Sequence, residues 1–179
     1  MTEVSRTIHN DEILVRFIYD KNFKKKKPLL GNLIIGEIFL PYKGGVSLQR
    51  SLFCSERACK IFAKKNTSRI FIGFLIFTKQ QFEDLKAEYS IDEREHFDAI
   101  IKSTPLNENF QYVDDDEVIF TESLGNPAHC DLVYLNPAVS GEESTKTAIR
   151  SFSRKLAKKC KLLIDPNPEE IDYNGLEFK

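Results

Sequence analysis

The run Gly125-Asn126-Pro127-Ala128-His129-Cys130-Asp131 sets a turn-forming tripeptide, an imidazole, a thiol and a carboxylate immediately before the apolar segment Leu132-Val133-Tyr134-Leu135. Proline pre-sets the backbone, and glycine and asparagine tolerate turn geometry, so His129 is placed at the mouth of a strand. Working residues commonly sit at such positions on a rigid scaffold. An imidazole with an unperturbed pKa of about 6.5 suits proton transfer or a pH-dependent contact. His129 is therefore the candidate catalytic residue, with a hydrogen bond that pins the turn as its structural alternative. Arg16 stands between Val15 and Phe17 in a segment otherwise apolar from Ile13 to Tyr19. A guanidinium cannot shed its proton to escape desolvation, so it must reach solvent, meet a structural carboxylate, or offer its fork to a phosphate or carboxylate in a cleft. Ser47 and Arg50 follow the Gly44-Gly45 turn and fall on opposite faces of an ideal strand. Arg16, Ser47 and Arg50 are the candidate ligand-binding residues.

Other chemistry-bearing groups read as weaker signals. Cys54, Cys59, Cys130 and Cys160 lack the paired close spacing of structural zinc, and no metal site is expected. Cys130 and His129 are adjacent, so a strand sends them to opposite faces, which argues against a nucleophile and its base. The lysines Lys24 to Lys27 beside Pro28 read as a solvated loop, and Asp114-Asp115-Asp116-Glu117 as an exposed acidic turn without a calcium-loop pattern. His9 and His96 have no context that distinguishes them from surface residues. No metal-finger, phosphate-loop, dinucleotide or hydrolase motif occurs in the 179 residues. No cofactor is expected.

The elements that must position these residues follow from periodicity and turn chemistry. Glu12 to Tyr19 reads as a strand with both faces covered, Asn32 to Leu40 as a second closed by Pro41, and Val46 to Leu52 as a third. Ser55 caps a short helix over Glu56 to Lys65. Ile70 to Phe77, apolar almost throughout, reads as a central strand covered on both faces. Capping boxes at Thr78-Lys79-Gln80-Gln81, Ser90-Ile91-Asp92-Glu93 and Ser140-Gly141-Glu142-Glu143 open three further helices, the last with Ala148, Phe152, Leu156 and Cys160 on one face. Strands are expected at Glu117 to Thr121, Asp131 to Leu135 and Leu162 to Ile164. Strands and helices mix without a regular βαβ period, which implies an α+β domain over residues 1–165, with a curved, mostly antiparallel sheet of about five to seven strands. Residues 166–179 form an acidic C-terminal arm, extended or partly disordered.

Composition narrows the class. Hydrophobic residues make up 41% and charged residues 30%, with 14 Phe against one Met and no Trp, as in an ordinary globular domain with a Phe, Ile and Leu core. A net charge of −1 supplies no global positive field, which argues against a dedicated nucleic-acid binder. Charge is segregated instead: six acids and no base from Asn107 to Glu122, seven bases and no acid from Lys146 to Lys161. The longest apolar run falls well short of the roughly 20 residues that span a bilayer. With no apolar leader and unpaired cysteine spacings, a reduced cytoplasmic setting is expected.

The blocks Leu14-Val15-Arg16-Phe17, Val46-Ser47-Leu48-Gln49-Arg50 and Gly125-Asn126-Pro127-Ala128-His129 together resemble a pattern in small uncharacterised bacterial proteins, a group that itself resembles accessory components of defence or toxin-linked gene sets. The resemblance brings no established activity. It implies an accessory role and draws Arg16, Ser47, Arg50 and His129 together as one potential cluster. Two readings follow. The first is a cytosolic bacterial binding or accessory module acting through protein contacts, since segregated charged faces steer and orient partners. The alternative is a nucleotide- or phosphate-handling enzyme, ADP-ribosyltransferase-like or phosphotransferase-like, in which Arg16 and Arg50 hold anionic oxygens of a small ligand while His129 moves a proton or contacts a ribose. Convergence of the four side chains in one pocket with His129 exposed favours the enzyme; separation or burial favours the module.

Overall fold

A computed structural model describes residues 2–22, 36–41, 45–89, 97–114, 117–118, 125–135 and 142–179. Among these, eight strands and three helices form: β1 (Thr2–Glu3), β2 (Ile13–Tyr19), β3 (Val46–Arg50), α1 (Glu56–Lys64), β4 (Phe71–Thr78), α2 (Lys79–Tyr89), β5 (Asp98–Ser103), β6 (Glu117–Val118), β7 (His129–Leu135), α3 (Glu142–Lys159) and β8 (Lys161–Ile164). Six strands make one open antiparallel sheet in the order β5-β7-β3-β2-β4-β8, and β1 pairs with β6 in a separate ribbon. The architecture is α+β, as the mixture of element types implies. No helix among the described residues is long and apolar enough to cross a membrane.

The apolar β2 and β4 segments pair along their whole length, from Ile13 opposite Thr78 to Tyr19 opposite Phe71. β4 is covered on both faces as expected, although it lies one strand in from the β8 edge rather than at the middle. Its Gly73 admits a close approach by β8, since a Cβ there would fall 2.1 Å from the Leu163 carbonyl oxygen. Alternation along the strands builds two cores. Leu14, Ile18, Leu48, Leu75, Phe77 and Leu132 pack with Phe82 and Leu85 of α2 and Phe152 and Leu156 of α3. Val15, Phe71, Phe74 and Ile76 pack with Cys59 and Ala63 of α1 and, at the margin, Tyr173 and Phe178.

Local capping signals act as their chemistry requires. The Ser55 hydroxyl accepts from the Ala58 amide at 3.3 Å. Thr78 and Gln81 exchange hydrogen bonds, Gln81 N to Thr78 Oγ1 at 3.2 Å and Thr78 N to Gln81 Oε1 at 2.8 Å, which opens α2. Ala148, Phe152 and Leu156 are buried on one face of α3. The Ser90 box, and Ser140 and Gly141 of the third, lie outside the described residues, as do residues 119–121 of the strand expected from Glu117.

The expected Asn32–Leu40 strand needs correction where it is described. Residues 32–35 lie outside that range, and Gly36–Phe39 forms a 3-10 turn. A strand would send Ile38 and Phe39 to opposite faces, whereas the turn buries both in one core, with the Phe39 ring edge-on to Phe77 at 5.6 Å. The third strand likewise ends at Arg50, and Ser51–Phe53 turns away with Leu52 exposed. Residues 166–179 carry no helix or strand, and they pack rather than project. Tyr173 and Phe178 each bring a ring to 5.1 Å from that of Phe74. Lys60, fully buried, pairs with Asp165 at 2.6 Å and donates to the carbonyls of Asn167 and Asp172 at 2.8 and 2.7 Å.

Phe74 is fully buried between β2, the neighbouring Phe71 and this C-terminal segment. Phe74→Ala is expected to cost about 3 to 5 kcal/mol by deleting that shared ring contact and leaving a cavity. Denaturant melts measure it; a loss under about 1 kcal/mol, the range of surface changes, would mean that the segment adds nothing to the core.

Candidate functional site

The ladder between β2 and β3 is short, joining Leu14 to Arg50 and Val15 to Gln49. Beyond it, β2 continues along β4 while β3 continues along β7, and the sheet opens between them. A continued register would set Phe17 opposite Ser47. Instead the Arg16 guanidinium enters the opening, and its Nη1 donates to the Ser47 carbonyl at 2.8 Å. The result is a cleft of about 230 Å³ lined by Val15, Arg16, Phe17, Tyr19, Ser47, Gln49, Asn66 and Arg69.

The cleft holds two guanidinium groups. Arg69, from the connection between α1 and β4, stacks 5.5 Å from the Tyr19 ring centroid, and the Tyr19 hydroxyl donates to the Ala63 carbonyl at 3.2 Å. Burial lowers the Arg16 pKa to about 10, with Tyr19 and Asp131 opposing the fall and Arg69 adding to it, so the group remains a cation at neutral pH. Burial raises the Tyr19 phenol, keeping it protonated. Neither arginine has a carboxylate within ion-pair distance among the described residues. Arg16 Nε and Gln49 Oε1 are both buried and lack a hydrogen-bond partner among the described residues, and buried polar atoms are otherwise almost always satisfied.

Arg50 is elsewhere and fully committed. Its side chain is 0% exposed, and its five N–H donors meet five acceptors. Nε and Nη2 grip the Glu12 carboxylate at 2.6 and 2.9 Å. Nη1 donates to the Ser5 carbonyl at 2.5 Å and the Ser103 hydroxyl at 3.4 Å, and Nη2 to the Thr7 carbonyl at 3.0 Å. The Phe53 ring lies 4.7 Å from the guanidinium carbon.

His129 pairs across the sheet with Gln49, yet it does not line the cleft. Its Nδ1 lies 2.9 Å from both the Thr104 carbonyl and the Thr104 hydroxyl. A carbonyl only accepts, so Nδ1 carries the proton, and the threonine hydroxyl donates onward to Asp131 Oδ2 at 2.9 Å. Nε2 stands 3.9 Å from Asp131 Oδ1, with the histidine side chain 12% exposed. The imidazole is therefore oriented by Thr104, the residue that follows β5.

Of the four residues singled out in the sequence, the structure brings Arg16 and Ser47 together and leaves Arg50 and His129 apart. Arg69, Gln49, Asn66 and Tyr19 complete the cleft. Gln49 stood in the strand pattern and Arg69 in a polar connection, with no local signal that marked either. Cys54 and Cys59, five residues apart, do meet, their sulfurs 2.9 Å apart in the second core. Burial first, and then the hydrogen bond to Cys54, push the Cys59 thiol well above its ordinary pKa. Among the described residues no group of three His, Cys, Asp or Glu is arranged to hold a metal ion. Lys24 to Lys27, Asp115 and Asp116 lie outside those residues. Fold and cleft define an α+β protein with a basic opening in an antiparallel sheet. No protein-family model, curated protein or solved structure matches the chain.

Three variants separate the roles. Arg50→Met leaves Glu12 buried and unpaired and is expected to cost about 3 to 5 kcal/mol, while Glu12→Leu combined with Arg50→Met recovers part of that loss. His129→Ala is expected to cost about 1 to 2 kcal/mol through its lost hydrogen bonds to Thr104. Urea melts of all three report these losses, and an Arg50→Met protein as stable as the parent would remove the ion pair from its structural role.

Proposed function

We propose that this chain is a binding module acting through protein contacts. The observation that carries the reading is Phe110, a bulky aromatic 46% exposed and held at φ 56°, in the left-handed region that such residues avoid. The loop around it is closed by its own sequence. The Asn107 side chain accepts from the amides of Asn109 and Gln111 at 2.9 and 3.0 Å, and the Phe110 amide donates to the Asn107 carbonyl at 2.9 Å. The ends are zipped by a bridge between Leu106 and Tyr112. Tyr112 is 48% exposed beside Phe110, and Lys65 at the end of α1 places its ammonium 4.4 Å from the Phe110 centroid. Such a conformation costs about 1 to 3 kcal/mol and persists where the surroundings enforce it, often at ligand contacts. Two exposed aromatics on one closed loop, one of them beside a cation, supply amphipathic contact area at low entropic cost, the chemistry enriched in interface anchors.

The enzymatic alternative is less well supported. An ADP-ribosyltransferase-like or phosphotransferase-like reaction needs Arg16, Arg50 and His129 around one substrate, but Arg50 has no donor left to offer and the His129 ring is held against Thr104.

Phe110→Gly tests the reading, because glycine accepts the left-handed backbone without strain. The variant is expected to melt within about 1 kcal/mol of the parent, the relief of strain offsetting lost contacts. In affinity capture from the native host, a partner retained by the parent is expected to be lost. An unchanged capture profile would sink the assignment of this loop as the contact.

A further inference from the structure

We propose that the opening between β2 and β3 is a binding site for a small phosphomonoester, its phosphate held by the Arg16 and Arg69 guanidinium groups and its P–OH received by Gln49 Oε1.

The two orphaned atoms define what is missing. Among the described residues, Arg16 Nε is a buried donor without an acceptor, and Gln49 Oε1 is a buried acceptor without a donor. A ligand that satisfies both must present an anionic oxygen and a hydrogen-bond donor within one cleft of about 230 Å³. A singly protonated phosphate carries both on one atom centre. Sulfate and carboxylate carry the oxygens without the proton, and an ammonium or amide lacks the charge that a guanidinium edge recognises. The geometry of the cations suits this group. Arg16 is fixed by its bond to the Ser47 carbonyl, so its fork is oriented before any ligand arrives. Arg69 is held over the Tyr19 ring, three residues along β2 from Arg16. Val15, Phe17 and Tyr19 complete a lining that is mostly polar. Asn66 offers one further amide. Asp131 is the nearby opposing charge. It lowers the net positive field of the cleft, which favours the singly charged, protonated phosphate over the dianion. The volume takes a phosphate and a few further atoms, so the body of the ester extends toward the cleft mouth.

The site is distinct from the Phe110 loop and stands or falls separately from it. Binding of inorganic phosphate, glycerol phosphate and inorganic sulfate to the full chain at pH 6 is the test, read by calorimetry and by the melting temperature. Phosphate and glycerol phosphate are expected to bind saturably, with sulfate at least about tenfold weaker. Arg69→Ala, at an exposed position, is expected to weaken phosphate about tenfold without moving the melt of the free protein. Gln49→Met, which removes the acceptor at similar volume, is expected to erase the preference over sulfate. Phe110→Gly is expected to bind phosphate as the parent does, even if it loses its protein partner. Sulfate binding as tight as phosphate, phosphate binding unaffected by Arg69→Ala, or no saturable response at millimolar phosphate would each overturn the proposal.

Discussion

The Arg50 guanidinium, buried and holding the Glu12 carboxylate in two parallel bonds, is the contact around which one end of the molecule is organised. A buried cation is tolerable only when every donor is met, and here Ser5, Thr7, Glu12 and Ser103 meet them from segments far apart in the chain. Because the carbonyls of Ser5 and Thr7 are among the acceptors, the N-terminal segment is drawn onto the sheet by main-chain contacts. Glu12 leads directly into β2 and Arg50 ends β3, so the same ion pair sets the register at which these strands begin to pair. Everything that happens farther along, including the divergence of the two strands, starts from that clamp.

A second arginine, Arg16, four residues along the chain from Glu12, meets a different fate. The Arg16 side chain enters the place where the ladder stops, accepts no carboxylate partner among the described residues, and bonds a single main-chain oxygen. The contrast is one of environment rather than residue type. Arg50 sits where a complementary carboxylate and three further acceptors were supplied by the fold. Arg16 sits at an opening that Arg69 also lines. One guanidinium holds the structure together and the other is available.

The sequence made the local devices legible and the long-range ones not. The Ser55 cap, the Thr78 and Gln81 exchange, the two-sided burial of β4 and the buried face of α3 are written within four to eight residues, so periodicity and capping chemistry suffice to read them. That β2 and β3 lie side by side was legible only as membership of one antiparallel sheet, since a 3-10 turn stands where a strand between them was expected. The distinction between Arg16 and Arg50 was not, because Glu12 lies 38 residues from Arg50 and nothing in either neighbourhood marks the pair. The turn at Gly36–Phe39 escaped for a related reason: an apolar run reads as a strand until the core shows that two consecutive side chains enter the same side. Arg69 and Gln49 acquire meaning only from the gap between two strands, a feature of pairing rather than of residue type. Phe110 carried one unread signal, the Asn107-Glu108-Asn109 sequence that closes a turn before it.

The C-terminal segment shows what kind of information holds it in place. Lys60 donates to the carbonyls of Asn167 and Asp172, and Lys64 to those of Pro168, Glu169 and Glu170. These two lysines, one helical turn apart on α1, grasp the path of the main chain and are indifferent to most of the side chains it carries. Spelling within 167–172 is thus nearly free, whereas spacing is not. Inserting or deleting one residue there would slide the carbonyls out of reach of both ammonium groups and carry Tyr173 and Phe178 away from Phe74, so the segment behaves as a measured length of cord rather than as a recognised word.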